Sequence, residues 1–143
     1  MKDLILGQIL WLKIRFNNSG ETSVSKHPYL VIDIDFELNA VEVVQLDSLE
    51  GKLHKAMRRS NKVIYNDDPT ESVISKDSFA QLDNIFKFEY YDGLSCFRHT
   101  TDTLSEGKLN DVIQAYRTYQ SEYHIDENKI VYMNQDEIEQ LNR

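Results

Sequence analysis

The chain predicts an α+β domain that is mainly β: a small, strongly bent antiparallel sheet or barrel with one helix packed on it late in the sequence. Three observations lead there. Short apolar, β-branched runs separated by turn residues fill the chain as far as Tyr90. A single long helical stripe follows, with Leu109, Val112, Ile113 and Tyr116 at helical spacing. Strands and helices do not alternate, as a parallel sheet would require.

The elements follow in order. From Gly7 to Phe16, Leu10, Leu12, Ile14 and Phe16 line one face of a strand, with Lys13 and Arg15 on the other. Asn17-Asn18-Ser19-Gly20 reads as a turn, since Asn and Gly tolerate the required backbone. Tyr29 to Asp35 forms a second strand. Pro28 suits its start, because a first position need not donate a ladder hydrogen bond, and it holds His27 extended. Phe36 to Asn39 connects to a third strand, Ala40 to Leu46, as an antiparallel hairpin. Leu49 to Ser60 mixes helix formers with Gly51 and reads as a long loop or a short helix. Lys62 to Tyr65 is a short strand, and Asn66-Asp67-Asp68-Pro69 a turn. Ser72 to Ile74 and Phe79 to Tyr90 read as extended, with Phe79, Leu82, Ile85, Phe86 and Phe88 supplying core bulk. The helix opens near Thr103 or Ser105, where Thr103 and Glu106 match a capping box, and ends near Tyr119 or Glu122. Lys129 to Met133 predicts one more strand. Asn134 with Glu137 then caps a short terminal helix.

Composition narrows the function classes. At 143 residues, 41% of them hydrophobic, the chain makes one domain with a real core. It carries no apolar run of transmembrane length and no leader-like start. The single cysteine, Cys96, cannot pair internally and reads as a packing residue. A cytoplasmic protein is expected. The net charge of −8 opposes non-specific binding to nucleic acid or anionic membrane. Any RNA contact needs a local basic patch. Lys52, His54, Lys55, Arg58, Arg59 and Lys62 supply one uninterrupted by acid, though such clusters are also ordinary solvated loops. No P-loop, GxGxxG, GxSxG or HExxH is present, which argues against the chemistries those motifs carry. His27, His54, His99 and His124 lack ligand spacing, so neither metal nor other cofactor is expected.

Four segments, in order, resemble the MazF/PemK family of toxin endoribonucleases. Gly7-Gln8-Ile9-Leu10-Trp11 resembles the family's opening Gly-(Asp/Glu)-Ile strand, and Lys26-His27-Pro28-Tyr29-Leu30-Val31-Ile32 its Arg-Pro strand. Val41 to Ser48 resembles the strand that ends in Thr or Thr-Ser. Leu104-Ser105-Glu106-Gly107-Lys108-Leu109 to Ile113 resembles the late helix. The likeness spans about residues 7–119 and leaves 120–143 as an extension of a single domain, 1–143. It implies a small SH3-like barrel that cuts single-stranded RNA without metal, and a homodimer restrained by a small antitoxin. His27 stands where the family has arginine, and Asp47 falls on its threonine position with Ser48 beside it.

Such cleavage needs a base for the ribose 2′-hydroxyl, an acid for the leaving 5′-oxygen and a donor or cation on the phosphate. His27 is the candidate acid–base group, since imidazole as a residue type changes charge near neutrality. The plain alternative is a histidine that only hydrogen-bonds at a strand start. Ser48 is the candidate phosphate or ribose donor, or else a turn serine. Asp47 and Asp83 are candidates to orient the base, though a bare carboxylate repels phosphate. Lys26 and the patch Lys52, His54, Lys55, Arg58 and Arg59 are candidates to hold the RNA backbone; Trp11 and Tyr29 are candidates to stack bases, with core packing the plainer reading of each. The competing function is a binding module on the same barrel, with catalysis lost, for a protein or nucleic-acid partner.

Overall fold

The computed structural model describes residues 3–143. It is a mixed α+β fold, mostly antiparallel sheet. The strands are β1 (Ile9–Leu12), β2 (His27–Asp35), β3 (Ala40–Ser48), β4 (Asn61–Ile64), β5 (Ser78–Gln81), β6 (Ile85–Glu89) and β7 (Ile130–Met133). The α-helices are α1 (Leu53–Ala56), α2 (Glu106–Glu122) and α3 (Gln135–Leu141). No helix among the described residues is long and apolar enough to cross a membrane.

The sheet is organised by β3, which is forked. One edge pairs with β2 in the expected hairpin, Tyr29 opposite Gln45 and Leu30 opposite Val44. The other edge changes partner halfway along. Ala40 to Val43 pair with β6, and Leu46 to Ser48 with β5. β1 extends the β2 side, β4 extends β5, and β7 lies parallel to β6. The strand pairing does not close on itself. Among the described residues β1 meets only one full strand, and its other edge holds the isolated bridge Leu10–Arg98.

Alternation along the strands creates two cores. Leu10, Leu12, Tyr29, Val31, Val41, Val43, Phe86 and Phe88 face one side, where Met133 of β7 and Ile138 of α3 complete the cluster. Leu30, Ile32, Val44, Leu46 and Ala80 face the other and meet Leu109, Val112 and Tyr116 of α2. Burying such a side chain contributes about 1.5–3 kcal/mol. The tail is therefore part of the main core. The edge of β7 is capped as well: Asn18 Nδ2 donates to Ile130 O (2.7 Å) and an Arg15 guanidinium nitrogen to Tyr132 O (2.8 Å).

Several local expectations change. Residues 72–74 form no strand, yet Val73 and Ile74 are buried and close one wall of the second core. The extended run from Phe79 to Tyr90 breaks at 82–84 into β5 and β6. The Thr103–Glu106 capping box does not form. Ser105 is the N-cap without a side-chain cap bond, and its N–H donates to Glu71 Oε2 (3.2 Å) from another segment. Leu49–Ser60 contains only the one-turn α1. Cys96 is exposed, not packed, because it sits on the short 3-10 turn Asp92–Phe97. Asn134 does cap α3, accepting from Glu137 N at 2.9 Å.

Gly7 is where the second core demands a glycine. Its φ is +90°, and an added Cβ would lie 3.2 Å from Thr103 Cβ and 3.4 Å from Leu104 N. Gly7 O accepts from Leu104 N (2.9 Å), which draws the approach to α2 onto β1.

Candidate functional site

A cavity of about 370 Å³ opens where β1, β2, β3 and the lead-in to β5 converge. That volume lies in the usual range for ligand sites. Its floor is apolar, from Ile9, Pro28, Leu46, Val73 and Ile74. Its polar groups are His27, Asp47, Ser48, Ser75, Ser78 and His99, with Lys76 at the rim. Register explains the gathering. Leu12 lies opposite His27 across β1 and β2, and Ser48 opposite Ser78 across β3 and β5. The β2–β3 register, extended two residues beyond Tyr29 and Gln45, sets His27 across from Asp47.

His27 is half-buried and Asp47 partly buried. Both also border a second, more open cavity of about 830 Å³ that runs past Tyr29, Gln45, Lys55 and Gln81. Two cavities thus meet at these two side chains.

The electrostatics of Asp47 are settled by Lys52. Its Nζ lies 3.0 Å from both carboxylate oxygens, while Ser48 N donates to Asp47 Oδ1 at 2.8 Å. The carboxylate is therefore compensated at the cavity wall and does not stand bare against an incoming anion. Ser48 Oγ accepts from Glu50 N at 3.2 Å, which leaves its own proton free to donate into the cavity. Lys76 pairs loosely with Glu50 at 3.3 Å, both well exposed, so water screens that contact.

Two residues at the mouth complete the site. Trp11, the single tryptophan, is 43% exposed and lines the cavity. His99 lies beside it, ring centroids 6.2 Å apart. The segment carrying His99 is strapped along the free edge of β1. His99 N donates to Ile9 O (2.9 Å), and Gln8 Nε2 to Thr101 O (3.1 Å). Sequence reasoning passed over His99 because no periodic or spacing signal ties a loop residue to a strand so distant in the chain.

The other candidates separate. Asp83 lies in the β5–β6 turn, where Lys129 Nζ meets its Oδ2 at 3.1 Å, and it borders neither cavity that His27 lines. That turn interrupts the extended run expected from Phe79 to Tyr90 and carries Asp83 away from the strand face. Tyr29 is 1% exposed, in edge-to-face contact with Phe86 and Phe88, so it is core and not a stacking platform. The basic patch also divides. Lys52 serves Asp47 and Lys55 borders the open cavity. Arg59 and Lys62 line a third cleft against α2, where an Arg59 guanidinium nitrogen donates to Tyr123 Oη (3.1 Å). His54 and Arg58 are exposed around α1, and Lys26 is exposed next to His27.

Among the described residues no group of three or more His, Cys, Asp or Glu side chains is arranged to hold a metal. The polar set suits proton transfer and anion contact: an imidazole, a hydroxyl donor and a compensated carboxylate over an apolar floor. No family model matches the chain, and no curated protein matches it at a significant level.

Proposed function

We propose that this protein is a metal-independent endoribonuclease acting on single-stranded RNA, in the manner of the MazF/PemK-like toxins that its segments resemble. The observation that carries the reading is the cavity where His27 and Ser48, from adjacent strands, meet beside an exposed tryptophan. A base stacks on Trp11, as single-strand binders commonly use aromatic faces. The phosphate lies against the Ser48 hydroxyl, and His27 takes or gives a proton. Lys55, which borders the open cavity, and Lys26, exposed next to His27, hold the RNA backbone without reading its sequence. Lys52 acts indirectly, by neutralising Asp47. The bent, open sheet corresponds in this reading to an SH3-like barrel, and the toxin role adds a homodimer and a small antitoxin as partners.

The test is incubation of a defined, unstructured RNA pool in EDTA, with mapping of cut sites and end chemistry. Cleavage that leaves 2′,3′-cyclic phosphate and 5′-hydroxyl ends is expected, and His27→Ala loses about a hundred- to ten-thousand-fold of the rate. RNA left intact by clean protein, with no growth arrest on expression, refutes the nuclease and leaves a binding module. Equal cleavage by the variant removes His27 from the chemistry.

A further inference from the structure

We infer that His99 is the second proton-transfer residue of this site, working opposite His27, so that the cavity is a two-imidazole centre. The inference rests on the nuclease reading above and deepens it.

Transesterification of RNA moves two protons at two oxygens. As the O2′–P bond forms, the 2′-hydroxyl proton passes to one neutral ring. As the P–O5′ bond breaks, the other ring, protonated at the start, gives its proton to O5′. The products are a cyclic phosphate and a free 5′-hydroxyl, and the rings have exchanged protonation states. Exchange with water resets them. One imidazole cannot stand on both sides of an in-line displacement at once.

The geometry supplies a pair. His27, half-buried, enters the cavity from β2, and His99, exposed, from the strap on β1. They border the same apolar floor from different elements. Neither ring forms an ion pair among the described residues. Of the other charged groups bordering the cavity, Asp47 is held by Lys52, and Lys76 stands exposed at the rim with only a loose, water-screened contact to Glu50. Arg98, the neighbour of His99, is directed elsewhere, donating to Asp3 O at 3.4 Å. The two histidines are the imidazoles at the cavity, the side-chain type best suited to exchange protons near neutrality. The backbone bond from His99 N to Ile9 O fixes the loop against the strand that carries Trp11, which holds the His99 ring 6.2 Å from the indole, within reach of a nucleotide stacked there.

The experiment measures single-turnover cleavage against pH in EDTA for wild type, His27→Gln and His99→Gln. It is repeated on an RNA whose scissile 5′-oxygen is replaced by sulfur, a leaving group that needs no acid. Binding of a 2′-deoxy substrate analogue and thermal unfolding serve as controls. Wild type is expected to show a bell-shaped profile. Each variant loses about a hundredfold or more in rate with binding and folding retained, and the two lose opposite limbs of the bell. The thio substrate restores the rate of one variant and not of the other. If wild type cleaves but His99→Gln keeps the bell and stays within about threefold of its rate, the inference is overturned while the nuclease reading stands. Equal rescue of both variants, or of neither, also overturns it. Absence of cleavage by wild type overturns both together.

Discussion

Replacing Tyr116 with phenylalanine tests how α2 is fixed to the sheet. Tyr116 is fully buried, and its hydroxyl donates to Glu42 Oε2 at 2.7 Å. Glu42, on β3, is only 6% exposed and is the one buried charged residue among the described residues. Arg117 supplies its other donors, at 3.0 Å to Oε1 and 3.3 Å to Oε2. Tyr116→Phe keeps the ring and its packing and removes one hydrogen bond to a charged acceptor, about 1.5–3 kcal/mol. Water cannot take its place at a fully buried ring. Arg117 is 45% exposed, so solvent screens its share and it cannot recover the loss. At this chain length about 4 °C of midpoint corresponds to 1 kcal/mol, giving a fall of roughly 6–12 °C.

The pH dependence adds an independent sign. Burial, then the Glu42 carboxylate, raises the Tyr116 hydroxyl above the ordinary phenol range. The folded state keeps this proton where the unfolded chain releases it, near about pH 10. Unfolding then releases a proton, so the stability it contributes is complete below about pH 10 and is lost as pH rises further. The variant should lack this part of the alkaline decline. Urea unfolding at neutral pH and at alkaline pH measures both effects. A loss under about 0.5 kcal/mol at neutral pH, or an unchanged alkaline slope, refutes the account of Glu42 as the anchor.

Gly7→Ala should cost about 2–4 kcal/mol in urea unfolding, because it combines a positive φ with tight contacts to Thr103 Cβ (3.2 Å) and Leu109 Cδ2 (3.3 Å), whereas Gly20→Ala, at φ +93° in open space, should cost only the backbone part, about 1–2 kcal/mol. Burial pushes the Tyr91 hydroxyl up to about 12 and raises Tyr29 as well, so stability should fall as pH climbs from about 10 toward 12. Phenolate absorbance should then rise in step with loss of far-ultraviolet circular dichroism, and early, separate ionisation of these tyrosines would contradict it. Lys52→Ala should change stability by less than about 1 kcal/mol yet weaken RNA binding about tenfold or more, with Asp47→Asn restoring it. Binding equally weak in the double variant would show that Lys52 meets RNA directly. RNA should also shift the fluorescence of the single tryptophan, Trp11, and an unchanged spectrum at saturation would remove base stacking there.

Patterns with a local cause were legible in the sequence. The β2–β3 hairpin follows from two β-branched runs joined by Phe36 to Asn39, and Asn39 takes the left-handed conformation, φ 56°, that asparagine tolerates. The Leu109, Val112 and Tyr116 stripe and the Asn134 cap follow from helical spacing and local hydrogen bonding. Features decided by contacts far apart in the chain were not legible. Thr103 lost the cap position because Gly7 draws Leu104 onto β1 and Glu71 takes the N–H of Ser105. Of the candidate site, His27, Asp47 and Ser48 met because strand register is a local property. Asp83 went elsewhere because a turn interrupts its strand, and His99 was missed because only tertiary strapping brings it in.

The change of partner along β3 has a consequence for how this molecule can vary. The β4–β5 arm carries Ser78 and the Val73–Ile74 wall, and its strand pairing to the main sheet runs through Leu46 to Ser48, with Leu49 N donating to Asp77 O just beyond. Groove width is thus tuned by side-chain bulk at residues 73 and 74, while the ladders among β2, β3 and β6 are left untouched. Exchanges such as Ile74→Val or Val73→Ile redraw the shape of an accepted ligand, and because both residues are buried in the second core they cost about 0.5–1.5 kcal/mol for a methylene removed and about 1–3 kcal/mol for one added, so selectivity can shift across generations only within the stability the scaffold has to spare.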